Sequence, residues 1–133
     1  MRVEISLKNR KPYENRPLDL LESDKDFEDF NKWIEALRSG DYNQGNGMLF
    51  RPDNNTFCCL GVACNVMEYK RSEMEHFLMP LSIGLNPKHG LYNFLSNERM
   101  CDMLADFNDT GSTFKEIAEY LEGYVAFVKE RNR

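Results

Sequence analysis

The stretch Phe57-Cys58-Cys59-Leu60-Gly61-Val62-Ala63-Cys64-Asn65-Val66-Met67 decides where the core of this chain lies. Three of the four cysteines fall within seven positions of this almost wholly apolar run. The run is too densely apolar for a helix with one face in water, and its length favours a buried helix over a strand. We therefore predict a buried helix over residues 59–69, on which Gly61 and Asn65 share a face that another element can approach closely.

The residues before this run predict a hairpin and a loop. Met48-Leu49-Phe50 and Thr56-Phe57-Cys58 flank Pro52-Asp53-Asn54-Asn55, a composition typical of a turn between two short strands. Upstream, Asn43-Gln44-Gly45-Asn46-Gly47 holds two glycines, which tolerate positive φ and let other groups approach the backbone. This loop is either a turn that serves only the backbone or a recognition loop over a pocket.

Residues 24–39 have the pattern of an amphipathic helix. Ser23 is a suitable N-cap, and Asp26 occupies the capping-box position three residues later. Acidic side chains crowd the first turns, where the helix dipole favours them, and Gly40 follows the last turn. We predict a helix over residues 24–39, with its acids on a solvated face.

The C-terminal third predicts two more helices joined by a turn. Ser96 can cap a helix that runs to about Phe107, and the polar residues 108–111 form the turn. Thr113 and Glu116 then make a second capping box before a helix with a continuous apolar stripe. Capping and turn hydrogen bonds explain the polar residues Asp106, Asn108, Asp109 and Thr110.

These elements predict a compact α+β fold that is mostly helical, with a small β-hairpin or sheet. We expect an N-terminal arm over residues 1–17, partly a strand because Val3, Ile5 and Leu7 alternate with polar residues. Residues 18–133 then form a single globular domain, which is long enough to bury a core. Residues 70–92 have a weak pattern that prolines and glycines interrupt.

Composition excludes several classes of function. The net charge of −5 argues against a dedicated nucleic-acid binder, which needs cations to contact phosphates. No apolar run approaches the roughly 20 residues that cross a bilayer, so we expect no membrane partner. The first residues have no apolar signal segment, so we expect a cytoplasmic protein with reduced thiols.

Metal and cofactor sites are not predicted. The chain has enough candidate ligands in number, but Cys59 and Cys64 would lie about 140° apart on a helix, so they do not converge on one ion. Residues 43–47 lack the glycine, lysine and hydroxyl pattern of a phosphate loop. We therefore expect no metal and no cofactor. The remaining candidate ligands are Cys58, Cys101, His76 and His89.

The thiols raise one catalytic possibility. A cysteine at a helix N-terminus gains from the dipole, which lowers its pKa and favours the thiolate. A buried helix that opens on a cysteine, with a histidine later in the chain, resembles the NlpC/P60-type cysteine peptidases. That resemblance implies Cys58 or Cys59 as nucleophile and His89 as base. The chain has Cys-Cys-Leu-Gly where those peptidases have Asp-Cys-Ser-Gly, and free cysteine is often simply a small buried apolar residue.

Three segments together resemble a group of small uncharacterised proteins common in tailed-bacteriophage genomes. They are residues 33–45 (WIEALRSGDYNQG), 57–64 (FCCLGVAC) and 107–118 (FNDTGSTFKEIA). The resemblance spans roughly residues 31–122 and implies an origin, not a mechanism. It suggests a protein that works inside the host cell.

We predict from these observations a small phage-encoded, non-enzymatic binding module that acts on a host protein or a small host ligand. Its predicted contact surface lies in residues 42–50, where glycines let a partner approach and apolar side chains adapt to it. The predicted contact residues are Tyr42, Gly45, Gly47, Met48 and Phe50. The alternative is a cysteine hydrolase that uses Cys58 or Cys59 with His89.

Overall fold

The computed structural model describes Tyr13 and residues 15–131, which form a mostly helical α+β fold with a small two-stranded sheet. The predicted strand of Val3, Ile5 and Leu7 lies outside the described residues. The elements in chain order are α1 (Asp24–Arg38), β1 (Phe50–Arg51), β2 (Thr56–Phe57), α2 (Cys59–Val66), α3 (Arg71–Met74), a 3₁₀ helix (Pro80–Ile83), α4 (Tyr92–Leu95), α5 (Glu98–Asp109) and α6 (Phe114–Arg131).

Helix α2 is the centre of the core. It packs against both α1 and α5, and α1 in turn lies along α6. Trp33 of α1 is fully buried, and its Nε1 donates a hydrogen bond to the Cys59 carbonyl at 3.0 Å. Phe30 and Phe94 pack edge-on against this indole, and Tyr124 packs against both phenylalanine rings. The predicted burial of the cysteine-rich run is confirmed.

The hairpin and the α1 cap also form as predicted. Strands β1 and β2 pair antiparallel. The Ser23 hydroxyl accepts from the Asp26 N–H, and the Asp26 carboxylate accepts from the Ser23 N–H. One acid departs from the prediction of a solvated face, because Asp29 is buried.

Three helix boundaries differ from the predictions, and one of them is the end of α5, which includes Asn108 and Asp109 although the sequence predicts both as turn residues. Helix α2 ends at Val66 rather than near residue 69, because Glu68 adopts a positive φ of 73°. Helix α5 is capped by Asn97, not by Ser96, since the Asn97 side chain accepts from the Met100 N–H at 3.0 Å. Ser96 instead ends the short helix α4.

The last helix begins as predicted. The Thr113 hydroxyl accepts from the Glu116 N–H at 3.1 Å, and the Glu116 carboxylate accepts from the Thr113 N–H at 2.9 Å. Helix α6 then continues to Arg131. No helix in the described part of the chain is both long and apolar enough to cross a bilayer.

Candidate functional site

The buried side chain of Asn108 is the centre of a polar cluster that joins three separate segments. Its Oδ1 accepts from the Cys59 N–H at 3.2 Å and from Gln44 Nε2 at 2.9 Å. Its Nδ2 donates to the Gly45 carbonyl at 2.8 Å and to Asp109 Oδ1 at 3.1 Å. We call Asn108, Gln44, Gly45, Cys59 and Asp109 the Asn108 cluster. Both the oxygen and the nitrogen of the Asn108 amide are hydrogen-bonded within the protein. The cluster therefore has a structural role, which is to hold these segments together.

Gln44 extends this cluster to the start of α6. Its Nε2 also donates to the Ser112 carbonyl at 2.8 Å, and its Oε1 accepts from the Phe114 N–H at 3.1 Å. The three segments of the bacteriophage resemblance, 33–45, 57–64 and 107–118, therefore meet at one place. Asn108 and Asp109, which the sequence predicts as turn residues, lie at the end of α5, and their side chains bond to other segments of the fold.

The two loop glycines have different roles. A Cβ at Gly45 would lie 2.1 Å from Thr56 Oγ1, so this glycine is a packing requirement inside the fold. Gly47 is exposed, has a φ of +86°, and donates its N–H to Asp109 Oδ1 at 3.1 Å. Gly61 of α2 also has no room for a side chain, since a Cβ there would lie 1.8 Å from the Leu49 carbonyl oxygen. The predicted close approach at Gly61 is thus confirmed.

The apolar side chains of the same loop are largely enclosed. Phe50 is buried, and its ring stacks obliquely on Phe57 at 4.9 Å between centroids. Tyr42 is half-buried, and its hydroxyl donates to Asn65 Oδ1 at 2.6 Å. Met48 is half-buried as well. Residues 42–50 therefore offer a partner little apolar surface, which corrects the expectation that Phe50 is available for contact.

Burial keeps the cysteine thiols protonated. Cys58 is the N-cap residue of α2, as expected, but its side chain makes no capping hydrogen bond. Burial raises the pKa of the Cys58 thiol to about 11, and it raises the pKa of the Cys59 thiol well above its usual value. The expected lowering of the thiol pKa at this helix start is wrong, because loss of solvation outweighs the dipole. Neither thiol is prepared for nucleophilic attack.

His89 is engaged with α1. Its Nδ1 lies 3.6 Å from Asp29 Oδ2 and accepts a hydrogen bond from the Leu91 N–H at 3.1 Å. Burial lowers the pKa of His89 and outweighs the neighbouring carboxylate. No hydrogen bond or ion pair of the described residues joins His89 to Cys58 or Cys59.

Asp29 is the buried partner of this histidine. It accepts from Lys25 Nζ at 3.0 Å and from the Gly90 N–H at 2.9 Å. Burial of the carboxyl by itself raises its pKa, but these two hydrogen bonds and His89 hold the pKa of Asp29 below its ordinary value. Asp29 thereby ties residues 89–90 to α1, a role that its position among other acids in the sequence did not reveal.

Metal ligands do not converge in the described part of the chain. Within residues 15–131 and Tyr13, no group of three or more histidine, cysteine, aspartate or glutamate side chains could hold an ion. The four cysteines are all buried and reduced.

An exposed apolar surface lies within residues 70–92, the segment whose sequence pattern is too weak to predict regular elements. Phe77, Leu78 and Leu81 are the large apolar side chains that the described residues expose, with exposed fractions of 39%, 57% and 40%. Leu49 N–H donates to the Phe77 carbonyl at 2.9 Å, which anchors this segment to the hairpin. His76, directly before it, has a positive φ of 71°. We call these three side chains and the cavity beside them the 77–81 surface.

The cavity has a volume of about 230 Å³ and an apolar floor with an acidic edge. Leu81 belongs both to the cavity wall and to the exposed group, so the two features are continuous. The Cys101 thiol in the wall donates to the Leu95 carbonyl at 3.3 Å. The lining residues are Met79, Pro80, Leu81, Ser82, Leu95, Glu98, Cys101 and Asp102.

A sequence signal for this surface existed. Phe77-Leu78-Met79-Pro80-Leu81 is an apolar run that has neither helical nor alternating periodicity and that contains a proline. Such a run has no regular element in which all its side chains can turn inward. The weak secondary-structure pattern of residues 70–92 does not by itself reveal that side chains of this run are exposed.

The comparison with protein families found a similarity over part of the chain. Residues 28–80 match a domain of unknown function, DUF8296. The matched stretch contains Gln44, Gly45 and Cys59 of the Asn108 cluster, and it ends before Asn108 itself. No curated protein and no solved structure matches the chain.

Proposed function

We propose that this chain is a non-enzymatic binding module whose contact surface is the 77–81 surface and whose partner is a protein. The observation that carries the proposal is the exposure of three large apolar side chains within five positions, beside a cavity. Singly exposed apolar residues are common, but a contiguous apolar patch on a folded chain is typical of a contact site.

The size of the cavity favours a protein partner over a small ligand. Pockets for drug-sized molecules usually measure about 300–1,000 Å³. At about 230 Å³ this cavity suits one large apolar side chain of a partner, which would pack against Leu81 in the cavity wall. A single buried anchor of this kind often supplies much of the binding energy of an interface.

The chemistry of the thiols supports a non-enzymatic role. A cysteine hydrolase needs a thiolate and a base within hydrogen-bond reach. Cys58 and Cys59 are buried with raised pKa values, and the Nδ1 of His89 is occupied by the Leu91 N–H. The resemblance to the bacteriophage group leads us to propose a host protein as the partner.

Comparison of captured proteins between variants tests this function. Tagged wild-type chain and the double variant Leu78→Ser with Leu81→Ser are incubated with the same host lysate, and captured proteins are quantified by mass spectrometry. We expect a specific protein on the wild type that the double variant loses. Met48→Ser, at the loop surface predicted from sequence, is the matched control and should keep that protein. Loss on Met48→Ser with retention on the double variant would move the site to residues 42–50.

A further inference from the structure

We infer that the partner docks an amphipathic helix with a basic face, placing an apolar side chain in the cavity and cations along α5. This inference rests on the proposed function. It comes from a row of three exposed acids, Glu98, Asp102 and Asp106, which are spaced four residues apart on α5. Side chains at this spacing lie one above another on the same face of a helix.

The acidic row is continuous with the apolar site. Glu98 and Asp102 line the same cavity as Leu81 and Leu95. A partner side chain that fills the cavity therefore brings its own neighbouring residues beside these two carboxylates. Asp106 continues the row one turn further along α5, beyond the cavity.

The row has unused charge. Within the described part of the chain, no ion pair involves Glu98, Asp102 or Asp106. Carboxylates without an internal partner beside an apolar surface favour an approaching cation and disfavour an acidic competitor. Charge complementarity thus selects a partner with lysine or arginine next to its apolar anchor.

The spacing selects a helix as the partner element. Each residue of α5 advances about 1.5 Å, so the three acids, four residues apart, repeat at about 6.0 Å. A partner helix lying along α5 presents lysines four residues apart at the same interval, and its apolar face at i, i+3 and i+4 turns toward Leu78 and Leu81. An extended strand repeats its side chains at about 6.6–6.8 Å on one face, so at the third acid it is displaced by about 1.2–1.6 Å and matches the row less closely.

Three synthetic peptides test the inference directly. The first is a fluorescein-labelled 18-residue helix with leucines on one face and lysines on the other. The second replaces every lysine by glutamate, and the third keeps the lysines but scatters the leucines around the helix. Fluorescence anisotropy with the full chain should give at least about tenfold tighter binding for the first peptide than for either of the others.

Matched variants separate the contribution of charge to peptide affinity from the contribution of apolar contact. Glu98→Gln, Asp102→Asn and Asp106→Asn together should weaken binding of the first peptide about tenfold and flatten its dependence on salt. Glu35→Gln, Asp41→Asn and Asp53→Asn together are the control. They remove the same charge from exposed positions elsewhere and should change affinity less than about twofold.

The outcomes distinguish the inference from the proposed function. If Leu78→Ser with Leu81→Ser abolishes peptide binding while the α5 variant and its control bind equally, the basic-helix inference fails and the apolar contact site stands. If the leucine variant binds all peptides as the wild type does, both fail. If sedimentation of the peptide-free chain gives a dimer that the leucine variant lacks, the occupant is a second copy, and the inference is overturned.

Discussion

Two apolar stretches of this chain, residues 57–67 and 77–81, have similar composition and opposite surroundings. In the first, Cys59, Leu60 and Val62 are fully enclosed between α1 and α5. In the second, Leu78 is more than half exposed. The first stretch is mostly the helix α2, whereas the second is a bend followed by a 3₁₀ helix of four residues.

The difference shows what decides whether an apolar run is buried or exposed. Helix α2 is covered because the Asn108 cluster holds the 43–47 loop and the start of α6 around its first turn. The 77–81 segment is held by the bond between Leu49 N–H and the Phe77 carbonyl and by the buried Pro80 and half-buried Met79. The side chains of Phe77, Leu78 and Leu81 remain exposed, which suits a surface that a partner covers.

The largest expected contrast is in thiol reactivity. We expect a bulky maleimide at pH 8 to label the four native cysteines at least about a thousandfold more slowly than after unfolding, because labelling requires an opening of the core. Ellman-type and mass-spectrometric measurements with and without urea check this. Rapid native labelling of Cys59 or Cys64 would show that the first stretch is not closed.

Matched leucine truncations compare the two stretches directly. Leu60→Ala should lower the free energy of unfolding by about 2–5 kcal/mol, because it leaves a cavity in a packed core. Leu78→Ala should change it by no more than about 0.5 kcal/mol, since its side chain is mostly in water. Urea denaturation monitored by circular dichroism measures both, and equal losses would contradict the contrast.

The next largest effect on stability is expected at Asn108, the centre of the cluster that packs other segments against the first stretch. Asn108→Ala leaves the Cys59 N–H and the Gly45 carbonyl without their partner, and each unsatisfied buried group costs about 1–3 kcal/mol. We expect a total loss of about 2–4 kcal/mol. The exposed Asn31→Ala on α1 is the control, with a change within about 0.5 kcal/mol. A near-neutral Asn108→Ala would mean that other groups cover α2.

Removal of the α6 cap has a smaller expected effect. Thr113→Ala should cost about 0.5–2 kcal/mol, because the Glu116 N–H loses its acceptor. Thr113→Ser keeps the hydroxyl and should lose little. If the alanine variant keeps the wild-type urea midpoint, the stability of α6 comes from its packing alone.

The smallest expected effect is a pH dependence from His89. Because the folded chain lowers the pKa of His89, the unfolded chain takes up its proton first as the pH falls below about 6.5. The associated stability is complete above that pH and is lost as the pH falls through the folded-state value. Asp29, whose pKa is also lowered, adds a loss of the same sign at more acidic pH.

A substitution without a titrating ring isolates the histidine. His89→Asn can keep an acceptor for the Leu91 N–H, so we expect it to fold and to reduce the slope of stability against pH between 7 and 5. Urea midpoints at several pH values measure the slope. A steeper slope in His89→Asn would mean that the sign of the His89 contribution is reversed.

Local signals predicted most of the elements correctly. The capping boxes at Ser23 and Thr113 and the turn between β1 and β2 depend on neighbours within a few positions, so sequence pattern identifies them. The error at Ser96 arose because Asn97 is an equally good cap one residue later. Sequence pattern does not choose between adjacent caps, because the preceding helix α4 decides the geometry.

The candidate site was less predictable than the helices, because contacts between distant residues decide which side chains are exposed. The loop 42–50 has the composition of a contact surface, but Thr56 closes on Gly45 and Phe57 covers Phe50. The exposure of Phe77, Leu78 and Leu81 depends on which elements fail to cover them. That depends on contacts between residues far apart in the chain.

The sequence by itself determined the helical caps, the hairpin and the burial of the cysteine run, because hydrogen bonds within a few residues and the density of apolar side chains govern these features. Only the tertiary structure decided that Asn108 and Asp29 are buried and hold separate segments together. It also decided that the cysteine thiols are held protonated and that Phe77, Leu78 and Leu81 remain exposed. The physical reason is that desolvation, and with it pKa and exposure, is set by atoms that come together from distant parts of the chain.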